Sequence, residues 1–390
     1  MARKRITTGI DIGTSSVKAV IAEYQDGETM PIVLGTGIAE SKGLRHGYVV
    51  NAREVSDSIR VAVAQAEKTS GVKIKRTFLA IGGISLEANV SSGSTFVGRA
   101  DKEVTISDVE RATQAAEENF KKSPNKQIIH SIPIGFKLDD EEMMGLKAVG
   151  MKGLRLEAKV LFITCLNQHL KEFLEAVEMA NIEVEDIMAS PIAASFVTIT
   201  KRQKTAGCVL ANIGAETLSI AVFENNIPIS LQVFPIGGSE ITNDIALGLK
   251  IPIEEAEQLK LGRVLNHYPK KKLEDIVEAR LSDIFELIEA HLKKIGKSGL
   301  LAGGIVITGG SSAIPIIEEL AKTSLKIPSK IATPDFAKNT KQQIKDNKFS
   351  VAYGLCIMGL NDDGGDNDSV IKMSRHAKNN ILSWLKQFLP

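Results

Sequence analysis

The sequence predicts an α/β protein made of two related halves, with a small α+β subdomain inserted into the first half and an amphipathic helix at its end. Three observations predict this. Around DIGTSSVKA, residues 11–19, apolar runs lead in and out, the pattern of strand, tight turn and strand. The pattern returns at residues 209–222, VLANIGAETLSIAV. Residues 84–163 break into the first half with a strand–helix–strand–strand pattern of their own, long enough for a small separate unit.

The first hairpin carries chemistry. Gly13 lets the backbone turn sharply. Thr14, Ser15 and Ser16 place hydroxyls and backbone N–H groups at the tip, and Lys18 adds a positive charge, a combination that cradles phosphate oxygens. Asp11, at the base, is a carboxylate suited to holding the waters of a magnesium ion. A polar hairpin with one glycine is common, and the echo is what raises this one above the ordinary. Laid over it, Asn212 falls on Asp11, Gly214 on Gly13, Thr217 on Ser16, Leu218 on Val17 and Val222 on Ile21. Two such loops facing each other across a cleft grip a nucleotide from both sides.

The chain has 390 residues, 43% hydrophobic and 24% charged, ordinary values for a water-soluble protein with sizeable cores. A net charge of +1 and 5% aromatic content disfavour nucleic acid as a partner. Cys165, Cys208 and Cys356 sit singly in apolar runs, the pattern of buried reduced thiols in a cytoplasmic protein. No signal-peptide core is expected, nor a run long enough to span a bilayer.

Taken in order, a third apolar run at residues 31–39 is followed by the turn GLRHGYVV at 43–50. A helix over 51–70 puts Val55, Ile59, Val63 and Ala66 on one face. A buried strand ends at Gly82-Gly83. Within 84–163, a strand at 85–97 precedes a helix from about Ser107, with Ser107 and Glu110 as a capping box, and strands at 127–138 and 154–164. A helix at 167–181, a strand at 183–189 and a helix opened by Ser190-Pro191 complete the first half.

The second half begins near Thr205 with the echo hairpin. In FPIGGSEITNDIALGL, residues 234–249, a strand ends at Gly237-Gly238 and a helix begins near Ser239, an N-terminus that suits phosphate. A helix opened by Pro252 carries Glu257 and Lys260 three apart, the spacing of a surface ion pair. Residues 267–272 read as a basic solvated loop ahead of a helix over 273–294. The strand of GIVITGG ends at Gly309-Gly310 and Ser311, where a glycine pair lets a planar ring approach the backbone. FSVAYGLCIMGL, residues 349–360, is a helix of small residues.

Residues 361–369, NDDGGDNDS, form a flexible linker. Beyond it, 370–390 is two-faced: Ile381, Leu382, Trp384, Leu385, Phe388 and Leu389 share one arc at 100° per residue, and Lys372, Arg375, Lys378 and Lys386 make the segment basic. Such a helix either docks on its own domain or lies in a membrane surface, and the reach of the linker favours the membrane. Burying six such side chains is worth about 10 kcal/mol, against an ordering cost of roughly 1–2 kcal/mol per residue. The basic residues are therefore needed, at about 1 kcal/mol each near an anionic surface.

Together these motifs resemble the actin / sugar kinase / chaperone ATPase superfamily, and within it the FtsA family of actin-like bacterial division proteins. The resemblance covers nearly the whole chain. DIGTSSVKA and VLANIGAETLSIAVF are similar to the superfamily's two phosphate motifs, GIVITGGSSAIP to its adenosine motif, and SPIAASFV and FSVAYGLCIMGL to its two hinge helices. GLRHGYVVN, AIGGISLEANVSSGSTFV, HSIPIGFKLDD and GGSEITNDIALGL…AEQLK are close to the family's own wording. The resemblance implies an actin-like two-lobed fold of duplicated RNase H-like halves, with lobe 1 from residues 1–83 and 164–204, an SHS2-type insert at 84–163 and lobe 2 at 205–360. It implies binding of ATP and Mg2+ by Asp11, Gly13, Thr14, Ser15, Ser16, Lys18, Asn212, Gly214, Ala215, Thr217, Gly237, Gly238, Gly309, Gly310 and Ser311, with Glu257 and Lys260 at the adenosine and ribose.

It further implies self-assembly into filaments and other division proteins on the insert. The FtsZ C-terminal peptide would bind the helix bearing Arg280, and 370–390 would serve as a peripheral anchor on the cytoplasmic face of the membrane at the division site. The chain departs from the superfamily in the second phosphate loop, where Asn212 replaces the usual Asp and Glu216 adds a carboxylate. Asn orients water but is neither a base nor a negative charge beside a metal. No residue stands out as catalytic, and at most weak ATPase activity is expected. Two other readings share the core: a small-metabolite kinase, which Asn212 disfavours, and a PilM-type pilus platform protein, whose tail is less similar.

Overall fold

The structure is a computed structural model that describes residues 5–25, 30–143, 148–263, 268–333 and 346–358. The first half opens with β1 (Arg5–Ile12), β2 (Ser16–Tyr24) and β3 (Ile32–Glu40). A small hairpin, β4 (Leu44–Arg45) and β5 (Tyr48–Val49), leads to α1 (Ala52–Ser70) and β6 (Arg76–Ile81). β1 is buried from Thr7 onward, as a strand covered on both faces must be. Asn51 caps α1 through its side chain, and Gly71 ends it in the left-handed region.

The insert then contributes β7 (Glu87–Phe96), α2 (Ile106–Asn119), β8 (Lys126–Leu138), β9 (Glu141–Glu142) and β10 (Arg155–Leu166). It has a core of its own, in which Val109, Ala112 and Ala116 of α2 meet Phe136, Leu156 and Phe162 of the sheet. The chain returns through α3 (Asn167–Met179), β11 (Glu183–Ala189) and α4 (Ser190–Thr198). Lobe 1 is thus a five-stranded sheet in the order β11-β6-β1-β2-β3, with β1 antiparallel to β2 and parallel to β6.

The second half repeats this plan. After α5 (Lys201–Ala206) come β12 (Cys208–Ile213), β13 (Leu218–Glu224), β14 (Ile227–Phe234), α6 (Gly238–Leu249), α7 (Ile253–Lys260), α8 (Lys270–Lys294), β15 (Ile305–Thr308), α9 (Ile317–Leu325) and β16 (Ser329–Ile331). Its strands run β16-β15-β12-β13-β14, the order of lobe 1 in the same sense. One residue pair, Gln232↔Glu87, continues this sheet into β7 of the insert.

The last described helix, α10 (Ser350–Met358), crosses back to lobe 1. It packs on α4 so closely that a Cβ on Gly354 would fall 1.9 Å from Ala193 O. The buried Tyr353 hydroxyl donates to Pro31 O at 2.6 Å. Cys165, Cys208 and Cys356 are buried and free.

Several boundaries differ from those the sequence suggests. The capping box of α2 is Thr105 with Asp108, not Ser107 with Glu110: Asp108 Oδ2 accepts from Thr105 N at 2.8 Å, and Asp108 is buried beneath Gly98 and Arg111, where the longer Glu110 is exposed. α8 begins at Lys270 behind Pro269, so Lys270 to Lys272 form its first turn rather than a loop. A helix with Pro315 in its first turn is also suggested by the sequence, but Pro315 lies ahead of α9 (Ile317–Leu325), and Gly310–Ala313 form a 3-10 turn. The linker 361–369 and the tail 370–390 fall outside the described residues. Among the described residues no helix is long and apolar enough to cross a membrane.

Candidate functional site

The two hairpins match in hydrogen bonding as well as in sequence. In the first, Ile12 pairs with Val17 and Gly13 N donates to Ser16 O at 3.2 Å. In the second, Ile213 pairs with Leu218 and Gly214 N donates to Thr217 O at 2.9 Å. Each turn is therefore closed by its glycine at the position the alignment of the halves predicts.

Beneath the turns the chemistry differs. Asp11 and Lys18 are cross-strand partners, both buried, with Lys18 Nζ 3.3 Å from Asp11 Oδ2 and 2.9 Å from Ser16 O. A positive charge thus sits directly under the first turn, while Thr14 is half-buried and Ser15 exposed at the tip. In the second hairpin the equivalent pair is the neutral Asn212 and Ser219. Glu216 does not face its own turn. Its Oε2 accepts from the backbone N–H of His46, in the β4–β5 hairpin of the other lobe, at 2.5 Å.

The N-terminus of α6 is the seat of the second turn rather than an open anion site. Gly238 N donates to Gly214 O at 2.9 Å and Ser239 N to Ala215 O at 2.8 Å, while Gly237 N is taken by Glu240 Oε2 at 2.8 Å. Two of the helix's free N–H groups, those of Gly238 and Ser239, position the loop. Ser311 Oγ donates to Gly214 O from the other side at 3.2 Å. Gly309 takes a φ of +91° and lies where a Cβ would come within 2.4 Å of Asn212 Oδ1, whereas Gly310 faces open space.

Glu257 and Lys260 are more than the exposed pair their spacing suggests. Lys260 is buried, and its Nζ reaches Glu257 Oε2 at 2.6 Å, Thr242 Oγ at 2.9 Å and Gly238 O at 3.0 Å. Thr242 Oγ donates on to Glu257 Oε2 at 2.6 Å. The network binds α7 under the first turn of α6 and leaves the Glu257 carboxylate partly exposed.

The structure therefore gathers Asn212, Gly214, Ala215, Thr217, Gly237, Gly238, Glu257, Lys260, Gly309, Gly310 and Ser311 into one contiguous surface of lobe 2. Asp11, Gly13, Thr14, Ser15, Ser16 and Lys18 form another in lobe 1, and the His46–Glu216 bond joins the two lobes. Arg280 lies outside this group, on α8. Its guanidinium is held by Asp244 of α6 at 2.6 and 3.2 Å and by Asp283 at 3.1 Å, and the Asp244 hydrogen bonds push its pKa up. The membrane-facing set Ile381, Leu382, Trp384, Leu385, Phe388, Leu389, Lys378 and Lys386 lies outside the described residues.

Sequence reasoning missed three residues here. His46 contributes chiefly a backbone N–H, which no side-chain pattern reveals, and its ring Nδ1 lies 3.5 Å from Glu216 O; its φ of +48° marks it in the structure. Thr242 follows Gly238 by four residues, a spacing visible in the sequence once α6 is accepted. Asn347 Nδ2 reaches Ser312 Oγ at 3.3 Å, and its Oδ1 is buried without a partner beside the Gly309 turn.

Comparison with known proteins gives this geometry its context. Residues 209–354 match the sequence profile of the family described as cell division protein FtsA, and residues 83–164 that of the SHS2 domain inserted in it. A cell division protein FtsA of Bacillus subtilis is 31% identical over 381 residues, 91% of this chain and 83% of the relative. That of Pseudomonas aeruginosa is 30% identical over 379 residues, 91% of this chain and 89% of the relative. The chain belongs to the FtsA family. Its fold is similar to that of the PilM–PilN type IV pilus biogenesis complex, with a TM-score of 0.70 and 17% identity over 91% of this chain and 98% of that one. It is also similar to MreB5 of Spiroplasma citri bound to ADP, with a TM-score of 0.52 and 13% identity over 96% of this chain and 98% of that one. The chain thus has the actin-like α/β fold that FtsA proteins carry with an SHS2 insert.

Proposed function

We propose that this chain binds ATP in the cleft between its lobes, assembles into actin-like filaments and tethers FtsZ filaments to the cytoplasmic face of the membrane at the division site through residues 370–390. Membership of the FtsA family supports the division role over a pilus platform or a metabolite kinase. The observation that carries the nucleotide reading is the matched pair of hairpins, each turn closed from its glycine N–H, with Lys18 under one and Lys260 beside the other. Asp11 is a single buried carboxylate. Among the described residues no group of three or more His, Cys, Asp or Glu side chains could hold a metal. The fit is therefore to a magnesium ion carried by the nucleotide phosphates, with Asp11 on its water.

The experiment is co-sedimentation of the full chain with anionic vesicles, with and without ATP and an FtsZ tail peptide. The chain is expected to pellet with lipid, more so with ATP because a polymer sets many tails on one surface. It should carry the peptide with it. Removing residues 370–390 should abolish lipid binding; a truncated chain that still pellets overturns the anchor. Trp384 is the one tryptophan, so its fluorescence reports on the tail alone and should shift to the blue on anionic vesicles.

A further inference from the structure

Three consecutive residues of the β4–β5 hairpin touch three different parts of the molecule. The first, His46, of the first lobe, holds Glu216 of the second turn through its backbone N–H. The next, Gly47, lies backbone against backbone on Gly83: a Cβ on Gly47 would fall 2.3 Å from Gly83 Cα, and one on Gly83 would fall 2.9 Å from Gly47 O. Both glycines have positive φ, +80° and +84°, so neither position accepts a side chain without strain. The third, Tyr48, sets its ring edge-on to His169 at 5.0 Å between centroids. His169 Nε2 in turn lies 3.0 Å from Gly82 O.

Gly82 and Gly83 are where the chain leaves lobe 1 for the insert, and His169, in the first turn of α3, is where it has just returned. Tyr48 also stands near Glu87, the first residue of β7: burial, and then the Glu87 carboxylate, push the phenol's pKa up. The hairpin therefore rests on both ends of the insert's root and reaches from there to a carboxylate of the second turn.

We propose that this hairpin is a strap through which the inserted subdomain sets the position of Glu216. Seated, it holds the Glu216 carboxylate on His46 N–H, away from the phosphates. Shifted by movement at the insert's root, it releases Glu216 into the cleft, where its charge repels them. The inference rests on the nucleotide reading above for its consequence, but not for its geometry. It supplies the two states and the differential contact that coupling between distant sites requires.

The test is a double-mutant cycle in the full chain with Tyr48→Leu and Glu216→Gln, read by titration with a fluorescent ATP analogue and by amide hydrogen exchange at residues 214–217 without nucleotide. Tyr48→Leu is expected to weaken nucleotide binding about tenfold, within the range usual for coupled sites. Glu216→Gln should bind somewhat tighter, and the double variant should match Glu216→Gln. Additive effects would overturn the strap. So would unchanged exchange at residues 214–217 in Tyr48→Leu. If the wild-type chain binds no nucleotide yet Tyr48→Leu still speeds exchange there, the nucleotide reading fails and the strap stands. Should Tyr48→Leu not fold, His169→Leu removes the other ring of the same contact and gives the same readouts.

Discussion

Asp11 Oδ2 stands 3.3 Å from Lys18 Nζ across the first hairpin, under its turn. The pair keeps a buried carboxylate and a buried ammonium compensated, and in the proposed nucleotide complex the phosphates would draw on the lysine. Asp11→Ala should therefore lose affinity for magnesium-ATP by about tenfold, the equivalent of one hydrogen bond to a charged group. It should lose little for ATP without magnesium, because Lys18 is freed for the phosphates. Calorimetry with magnesium and with chelator checks this; unchanged magnesium-ATP affinity would remove Asp11 from the site.

If the proposed nucleotide site holds ATP, Asn212, whose Oδ1 lies beside Gly309, offers an amide where water activation needs a base. ATP turnover should be well below about 10 per second, the median enzyme rate. Asn212→Asp should raise it, and phosphate release measures both. A fast wild-type rate would show that another group does this work.

Lys204 is buried at the junction of the lobes, its Nζ 3.2 Å from Ser195 Oγ and 5.2 and 5.1 Å from the rings of Phe196 and Phe223. Burial pulls its pKa down to about 8. The unfolded chain releases that proton only near pH 10.4. Above about pH 8 the unfolded state thus holds more protons than the folded one, and this group makes stability rise with pH. Below pH 8 both states are protonated and the contribution is flat and least favourable. Lys204→Met should raise the urea midpoint at pH 7 and flatten its change from pH 7 to 9. A variant whose profile parallels the wild type would exclude Lys204 as the source.

Arg280 is already engaged by Asp244 and Asp283. If an acidic FtsZ tail peptide docks on α8 at Arg280, it has to compete with them. Asp244→Asn should then strengthen peptide binding several-fold by freeing one side of the guanidinium, and Arg280→Glu should weaken it, most at low salt. Anisotropy titrations at two ionic strengths decide. An affinity indifferent to both changes and to salt would move the peptide elsewhere.

The repeat made the fold legible. The offset that lays Asn212 on Asp11 also lays Ile213 and Leu218 on Ile12 and Val17, and these are the hydrogen-bonding partners in each hairpin. The insert showed itself by its change of pattern. What stayed hidden depends on backbone groups. The N–H of His46 carries no residue-type signal, and the N–H groups of Gly238 and Ser239 are committed to the second turn in a way that only three-dimensional placement reveals. The boundary of α8 was misplaced for a local reason: three lysines resemble a solvated loop, although Pro269 before them starts a helix.

The Tyr353 bond to Pro31 spans 322 residues of chain. It has a consequence for synthesis. β1 and β2 leave the ribosome well before α10, which covers them. At about 5–20 residues per second the wait is roughly 15–60 s. Through that time Val20, Ala22 and Val33 have no lid, although the second lobe is being built and can close on itself. Until α10 arrives this apolar face of the first lobe stays uncovered, and a chain stopped before residue 350 would leave it unfinished with every one of its own strands already made.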